Sequence, residues 1–331
     1  MSFARATCSG ETMRTMSDRV EKTSQRRAWL EARALSLSSR VSPAVVAKFE
    51  TAAAALDTYL DALEVQDVGP LTGSPLSPNV LRAVRRHDGT QAVLKLVGEP
   101  ATGEIATLSA WTRAGVSCVP LLHSGVGTWS PEVTHMLLAR VPGAPMAHRD
   151  MPSATSDIVR LLASAHLAPP PGVAPLADEL RPRLDTAATI WRDAGLDPPS
   201  QVADQLAGVE GDRVLLHGDS VGMNLLVQAD RAWLLDPAGV AGPAEFDAGR
   251  WVARCLAVAS HDELGHLTRQ AMLGDPTLRP DVLDACIAVE LVLEVRHRIT
   301  SPDMFIAIGS DPATFDSQTR AMATTARRTL A

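Results

Sequence analysis

Asp219, Asn224 and Asp236 are oxygen-bearing side chains spaced five and twelve residues apart on one apolar frame. Asp219 follows the apolar run Val214-Leu215-Leu216, on a turn that Gly218 makes possible. A carboxylate there can orient an acceptor hydroxyl and take its proton while a phosphoryl group moves. Asn224 closes the same turn and offers an amide oxygen, a hard ligand suited to Mg²⁺. Asp236 ends the next strand. A hairpin turning at Ala229-Asp230 would bring it back beside Asn224 through antiparallel pairing of Leu225-Leu226-Val227 with Trp233-Leu234-Leu235. Asp and Asn also serve as plain turn residues, but the spacing followed by a hairpin points to phosphoryl transfer from a nucleotide triphosphate.

Other candidates surround this set. His217 is either a second base or a scaffold whose imidazole bonds backbone or Asp247; one base suffices, so the scaffold reading is preferred. Asp247 opens a helix after Gly242-Pro243, where N-capping alone would explain it; a buried bond to the catalytic turn is the preferred role. Lys95 lies mid-strand between Leu94 and Leu96. It is either solvent-facing or a cation for the nucleotide's α- and β-phosphates. Glu104 shares a helical face with Leu108 and Trp111, where a carboxylate is costly unless paired. Kinase chemistry demands a Lys–Glu pair, so these two are taken as that pair, with Glu99 as a rival partner. The Gly69 to Pro75 loop, with Ser74, either covers phosphates or is an ordinary loop. The strand around Met136 to Val141, with Leu138 and Arg140, could bind an adenine edge. Glu290 and Glu294, four apart, and Asp262-Glu263 read as a solvated face or as a site for an amine-bearing acceptor.

The elements that must position these residues follow from pattern. A helix opens at Ser42-Pro43 and runs to about Leu63, with Val46, Phe49, Ala53, Leu56 and Leu60 on one stripe. Val80 to Arg85 and Gln91 to Val97 flank Asp88-Gly89, a hairpin signal. A helix at 103–113 and short strands near Leu121 and Leu137 follow, and Val141-Pro142-Gly143 breaks the chain as a hinge. Beyond it the pattern is mostly helical, including segments at 176–194, 200–207, 246–259, 262–273 and 281–298. This divides the chain into an N-terminal extension (1–40, partly mobile, with residues 1 to about 25 either mobile or a helix with little to pack against), an N-terminal lobe (41–141) and a C-terminal lobe (142–331). The 31 basic and 38 acidic residues give −7, which argues against a nucleic-acid partner. Four scattered cysteines read as buried thiols of a reducing compartment. With no membrane span and no secretory signal, a cytoplasmic protein is expected.

Taken together, the stretches Asp88 to Leu96, Glu104 to Trp111, Met136 to Gly143, Arg160 to Val173, Leu215 to Leu226 and Leu235 to Asp247 resemble the aminoglycoside and hydroxyurea antibiotic-resistance phosphotransferases, especially the streptomycin 6-phosphotransferase-like branch. They span about 70 to 300. The resemblance implies an α+β, two-lobed protein-kinase-like fold: an antiparallel sheet with one main helix in the N-lobe, a mostly helical C-lobe, and ATP (or GTP) with Mg²⁺ between them. It implies Asp219 as catalytic base, Asn224 and Asp236 as metal ligands, Lys95 with Glu104 as phosphate anchor, and an antibiotic hydroxyl, aminoglycoside-like, as acceptor. The alternatives are a metabolic kinase for an amino alcohol, sugar or nucleoside-like compound, or a nucleotide-binding pseudokinase. Two departures imply an altered acceptor pocket. Ser220-Val221-Gly222-Met223 stands where the family usually carries a Leu-His-Pro-Gly-like run, and Ala238 where a Lys often follows Asp-Pro. No Asp-Phe-Gly or Ala-Pro-Glu follows the metal Asp, unlike a protein kinase with an activation loop.

Overall fold

A computed structural model describes residues 10–71, 77–196, 213–257, 263–302 and 315–329, with side chains from residue 21 onward. Ser74, Asp262, Cys8 and the helix expected at 200–207 lie outside the described residues. The chain divides into two units, one of residues 1–100 with 124–137 and one of 101–123 with 138–331.

The first unit begins with two helices, α1 (Gly10–Ser38) and α2 (Pro43–Ala62). Pro43 occupies the first turn of α2, where its missing N–H costs nothing. The α2 stripe buries Phe49, Leu56, Tyr59 and Leu60 against Val80, Val84, Leu94 and Leu96 of a sheet. That sheet has the order β1-β2-β3-β5-β4, from β1 (Gln66–Pro70), β2 (Val80–Arg85), β3 (Gln91–Val97), β4 (Leu121–Val126) and β5 (Thr134–Ala139). β1 and β3 pair antiparallel with β2, and the expected hairpin turns at Asp88-Gly89 with Gly89 at φ +82°. The C-terminal part of α1 packs on this core: Leu37 is buried in it, Leu30 and Ala34 pack against it, and Trp29 lies under the Arg82 guanidinium at 5.2 Å. One expectation is corrected: Gly69 and Pro70, read as the start of a Gly/Pro-rich loop, end β1, and the register shift between Asp67 and Gly69 leaves Val68 without a cross-strand partner.

The second unit takes α3 (Thr102–Ala114), α4 (Thr155–Ala165), α5 (Leu176–Asp193), α6 (Glu245–Leu256), α7 (Leu264–Gly274), α8 (Pro280–Thr300) and α9 (Phe315–Thr329). Residues 101–123 fall here, whereas the sequence boundary at 141 kept them with the first lobe. The reason is local: Trp111 Nε1 donates to Ala165 O at 2.8 Å, and Val119 N–H donates to Leu234 O at 3.0 Å. Two small sheets complete the unit. One has the order β10-β9-β6, with β6 (Ala144–Pro145), β9 (Leu225–Gln228) and β10 (Arg231–Leu234); the other has the order β7-β11-β8, with β7 (Ala174–Pro175), β8 (Val214–Leu216) and β11 (Val240–Gly242). The segment read as a chain break therefore runs straight into β6, whose Ala144 and Pro145 oppose Val227 and Leu226. Trp111, Trp191 and Trp251 are fully buried, and the last two donate their ring N–H to Val292 O and Thr155 Oγ1. α3, α5, α6, α7 and α8 occupy about the expected ranges because their apolar faces are regular; α9 was not expected from the sequence.

Cys118, Cys255 and Cys286 are buried free thiols. Burial pushes the Cys255 thiol up to about 12, so it stays protonated and unreactive. Among the described residues no helix is long and apolar enough to cross a membrane.

One close approach in the second unit makes a sharp stability prediction. Gly239 has φ +70°, and a Cβ there would lie 2.1 Å from Gly103 C at the start of α3. Gly239→Ala is expected to cost about 2–4 kcal/mol, combining left-handed strain with overpacking against backbone. Gly172 has φ +86° with nothing within 4 Å, so Gly172→Ala should cost only the strain, about 1–2 kcal/mol. Denaturant midpoints of the two variants check the difference; equal losses would contradict it.

Candidate active site

β8 delivers the chain into the turn at His217-Gly218-Asp219, and α6 holds it there. Asp247, in the first turn of α6, is completely buried and accepts two successive backbone N–H groups, from His217 to Oδ2 and from Gly218 to Oδ1, both at 2.8 Å. Its Oδ2 also meets His166 Nε2 at 3.2 Å, and its backbone carbonyl accepts from Ser220 Oγ at 2.9 Å. Burial alone would raise the Asp247 pKa, but the His166 contact and the Gly218 amide hold it below the usual carboxylate range. Asp247 is not an N-cap; Ala244 holds that position. Gly218 sits at φ +71°, and a Cβ there would meet Val240 Cγ2 at 2.8 Å.

His217 is fully buried. Its backbone N–H, not its imidazole, bonds Asp247, because a carboxylate facing two consecutive amides is satisfied by the backbone first. The imidazole turns the other way, and Nδ1 accepts from the Asp219 N–H at 3.2 Å. An accepting Nδ1 assigns the ring proton to Nε2, which is buried without a hydrogen-bond partner among the described residues. Burial pushes the His217 pKa below its ordinary 6.5, which favours this neutral form.

The Asp219 side chain is 42% exposed and so open to a reactant. Its Oδ2 and its backbone carbonyl both accept from Asn224 Nδ2 at 2.9 Å. Its Oδ1 is held by the Arg250 guanidinium. Burial acts to raise the Asp219 pKa; Arg250, Arg254 and His217 outweigh it and hold it below the usual value of 3.8. Asn224 spends its amide hydrogens on Asp219, so its Oδ1 remains as the outward oxygen. Asn224 O accepts from Leu235 N–H at 2.9 Å, one step beyond the β9–β10 register that pairs Leu225 with Leu234. Asp236 therefore follows directly on the strand beside Asn224. Its backbone is left-handed at φ +49°, uncommon for a residue with a side chain and concentrated at functional sites.

In the first unit Lys95 is only 2% exposed on β3, so the solvent-facing reading is overturned. The rival carboxylate Glu99 pairs with Lys48 of α2 at 2.6 Å. In the second unit Glu104 is half-buried in the first turn of α3, on the face that buries Leu108 and Trp111. Leu138 is buried near the end of β5 and Arg140 is exposed just after it.

Glu290 and Glu294 are neither a solvated face nor free for an amine. Each is 2% exposed; Arg250 binds Glu290 Oε2 at 2.7 Å, and Arg254 and Arg298 bind Glu294. Sequence reasoning missed Arg250 and Arg254. Arg250 lies three residues after Asp247 and Arg254 four later, so all three share one face of α6. An arginine aimed into a core looks like a surface arginine in sequence unless the facing acids, forty residues away in both pairs, are matched to it.

The sequence profile of the aminoglycoside/hydroxyurea antibiotic resistance kinases matches residues 63–271. No curated protein matches the chain. Among solved structures, an aminoglycoside phosphotransferase from Alicyclobacillus acidocaldarius superposes with a TM-score of 0.52 at 12% identity, over 82% of this chain and 96% of that one. The aminoglycoside phosphotransferase APH(4)-Ia, in a ternary complex with ADP and hygromycin B, gives 0.53 at 15% identity over 81% and 97%. A choline kinase from Cryptosporidium parvum gives 0.52 at 11% identity over 80% and 88%. These likenesses are of fold, and the fold is that of the kinase-like phosphotransferases. The profile covers well over half of the sequence, and the chain belongs to the aminoglycoside/hydroxyurea antibiotic resistance kinase family.

Proposed function

We propose that the protein transfers the γ-phosphoryl group of ATP (or GTP) to a hydroxyl of a small antibiotic, with Asp219 as the group that meets the acceptor. The observation that carries this reading is the turn itself. A partly exposed carboxylate is fixed by Asn224 and Arg250 at the end of β8, on a loop clamped by Asp247. Family membership supports the reaction class, and ADP with hygromycin B in the APH(4)-Ia complex supports the ligand classes. A cytoplasmic location follows from the need for cellular nucleotide.

In this reading the acceptor O–H donates to Asp219. Its oxygen forms the new bond to the γ-phosphorus, the bond to the β–γ bridging oxygen breaks, and the nucleoside diphosphate leaves with that electron pair. The proton passes to Asp219. A carboxylate held below its usual pKa is a weak base, so Asp219 works mainly by orienting the hydroxyl, taking the proton late. His217 keeps the turn's geometry as a neutral ring, and Asp247 fixes the loop that carries both.

The donor set fits a magnesium nucleotide. Asn224 Oδ1 and the Asp236 carboxylate are hard oxygens, one just before β9 and the other just after β10. Among the described residues no group of three or more His, Cys, Asp or Glu side chains is placed to hold a metal ion by itself, so Asn224 and Asp236 would share the cation with phosphate oxygens and water. Magnesium, when bound, neutralises charge on the phosphates. Lys95 and Glu104 are assigned to anchoring the nucleotide's phosphates, and Leu138 and Arg140 to its base.

Asp219→Asn is expected to lower kcat by about 10²–10⁴-fold, while ATP affinity by calorimetry stays within a few-fold. Turnover near the wild-type rate would remove Asp219 from the reaction. The pH dependence follows from the shift. The active form is the carboxylate, and its pKa lies below 3.8. Activity is therefore full above that value and is lost only as pH falls through the lowered pKa. After correction for ionisation of ATP and acceptor, kcat/KM should show no enzyme group titrating between pH 5 and 7; a limb there would contradict the assignment.

A further inference from the structure

We propose that a cleft between α1 and the β1–β2 edge of the N-terminal sheet binds the phosphoryl group of a small, hydrophilic phosphate ester, as a second anion site on the sheet face away from Lys95. The site lies wholly within the first unit and does not depend on the transfer reaction.

The cleft has a volume of about 470 Å³, the size that takes a small molecule. α1 lines it with Lys22, Arg26 and Trp29, and β2 with Arg82 and Arg85. β1 supplies the rest, around Asp67. Three contacts hold the two sides together. Arg26 Nη1 donates to Asp67 Oδ2 at 3.1 Å. Arg82 donates to the same carboxylate through Nε at 3.0 Å and Nη2 at 2.7 Å. The Arg82 guanidinium also lies over the Trp29 ring, at 5.2 Å from its centroid.

Cations outnumber acids in this lining. Lys22, Arg26, Arg82 and Arg85 stand against Asp67, which is divided between Arg26 and Arg82. Asp57 of α2 reaches Arg26 at 2.6 Å from an exposed position. Lys22 and Arg85 have no ion pair among the described residues. Arg82 is the residue that marks the site. It is 3% exposed, and its Nη1 is buried with no hydrogen-bond partner. A buried guanidinium is costly unless its charge and its donors are met. Half of one carboxylate meets neither in full, and an unsatisfied buried donor in a folded protein is the usual sign of a bound ion or water. A phosphoryl dianion supplies the missing charge, and arginine forks suit its oxygens through paired N–H donors.

The strand register separates this cleft from the nucleotide's phosphates. Arg82 stands opposite Leu94, and Leu81 opposite Lys95. Leu94 belongs to the core beneath α2. Arg82 therefore lies on the helix-covered face of the sheet, and Lys95 on the other, because side chains alternate along a strand.

The body of the ligand follows from the remaining surface. Gln25 and Gln66 add amides, and the β1 irregularity leaves Val68 without a cross-strand partner. The aromatic face in the lining, Trp29, is half-buried and already covered by Arg82. Such a surface favours a polyhydroxyl body over a flat base or an acyl chain. A bound ester also bridges α1 to β1 and β2, so it stabilises the first unit.

The test is calorimetry on the full-length protein, with magnesium and a saturating non-hydrolysable ATP analogue present. Glucose 6-phosphate is the ester, inorganic phosphate the bare anion and glucose the neutral control. The expected result is binding of the ester, competition by inorganic phosphate and no binding of glucose. Lys22 and Arg85 are exposed, so Lys22→Gln combined with Arg85→Gln leaves the fold intact. This double variant should weaken ester binding at least about tenfold. Its ATP affinity and magnesium-dependent ATP hydrolysis should stay at the wild-type level. Arg82→Lys, checked for folding by circular dichroism, should weaken the ester too, since one ammonium does not replace a fork. Four results overturn the site: no ester binding by wild type, wild-type affinity in the folded variants, binding only when the ATP analogue is left out, or binding of inorganic phosphate without the ester.

Discussion

The catalytic turn depends on one buried carboxylate. Asp247 has no exposure, yet it remains ionised because two backbone amides and His166 converge on it. Each of those N–H groups would otherwise point into the core unsatisfied, at a cost of about 1–3 kcal/mol. A charge with this many donors is worth burying only where geometry matters more than stability. Here it fixes His217 and Gly218, and through them the direction in which Asp219 leaves the strand. The left-handed Gly218 and the close Val240 and Ala238 side chains make any other residue at the bend strained.

A second layer of charge sets the chemistry of Asp219. Arg250 bridges Asp219 and Glu290, so α6 and α8 are tied to the loop by a carboxylate–guanidinium–carboxylate chain. The same spacing repeats one turn on with Arg254 and Glu294. Such a chain holds Asp219 as an anion with restricted direction. That suits a reaction in which the leaving nucleotide carries most of the charge and the protein's part is to position the hydroxyl.

The candidate site's frame was legible in the sequence because it is local. Asp219, Asn224 and Asp236 lie on one strand–turn–hairpin unit, and a hairpin's register follows from its turn, here Ala229 at φ +52°. The long helices were legible from their apolar stripes. What escaped were features decided by distant partners. β6, β7 and β11 are two or three residues long, too short for any periodicity, and exist only because other strands pass beside them. Glu290 and Glu294 read as surface acids because their arginines are forty residues upstream on another helix. Of the two partners expected for the His217 imidazole, backbone and Asp247, the structure has the backbone N–H of Asp219, while Asp247 takes the His217 amide.

The central claim is that Asn224 and Asp236 share one divalent cation with the nucleotide beside Asp219. Electron paramagnetic resonance of Mn²⁺ bound with a non-hydrolysable ATP analogue tests it most directly, titrated against wild type, Asn224→Ala and Asp236→Ala. The account predicts that each substitution weakens nucleotide-dependent Mn²⁺ binding by at least about tenfold, close to the loss of one charge-assisted contact. Both variants should still bind the metal-free nucleotide. Wild-type Mn²⁺ affinity in both variants would contradict it.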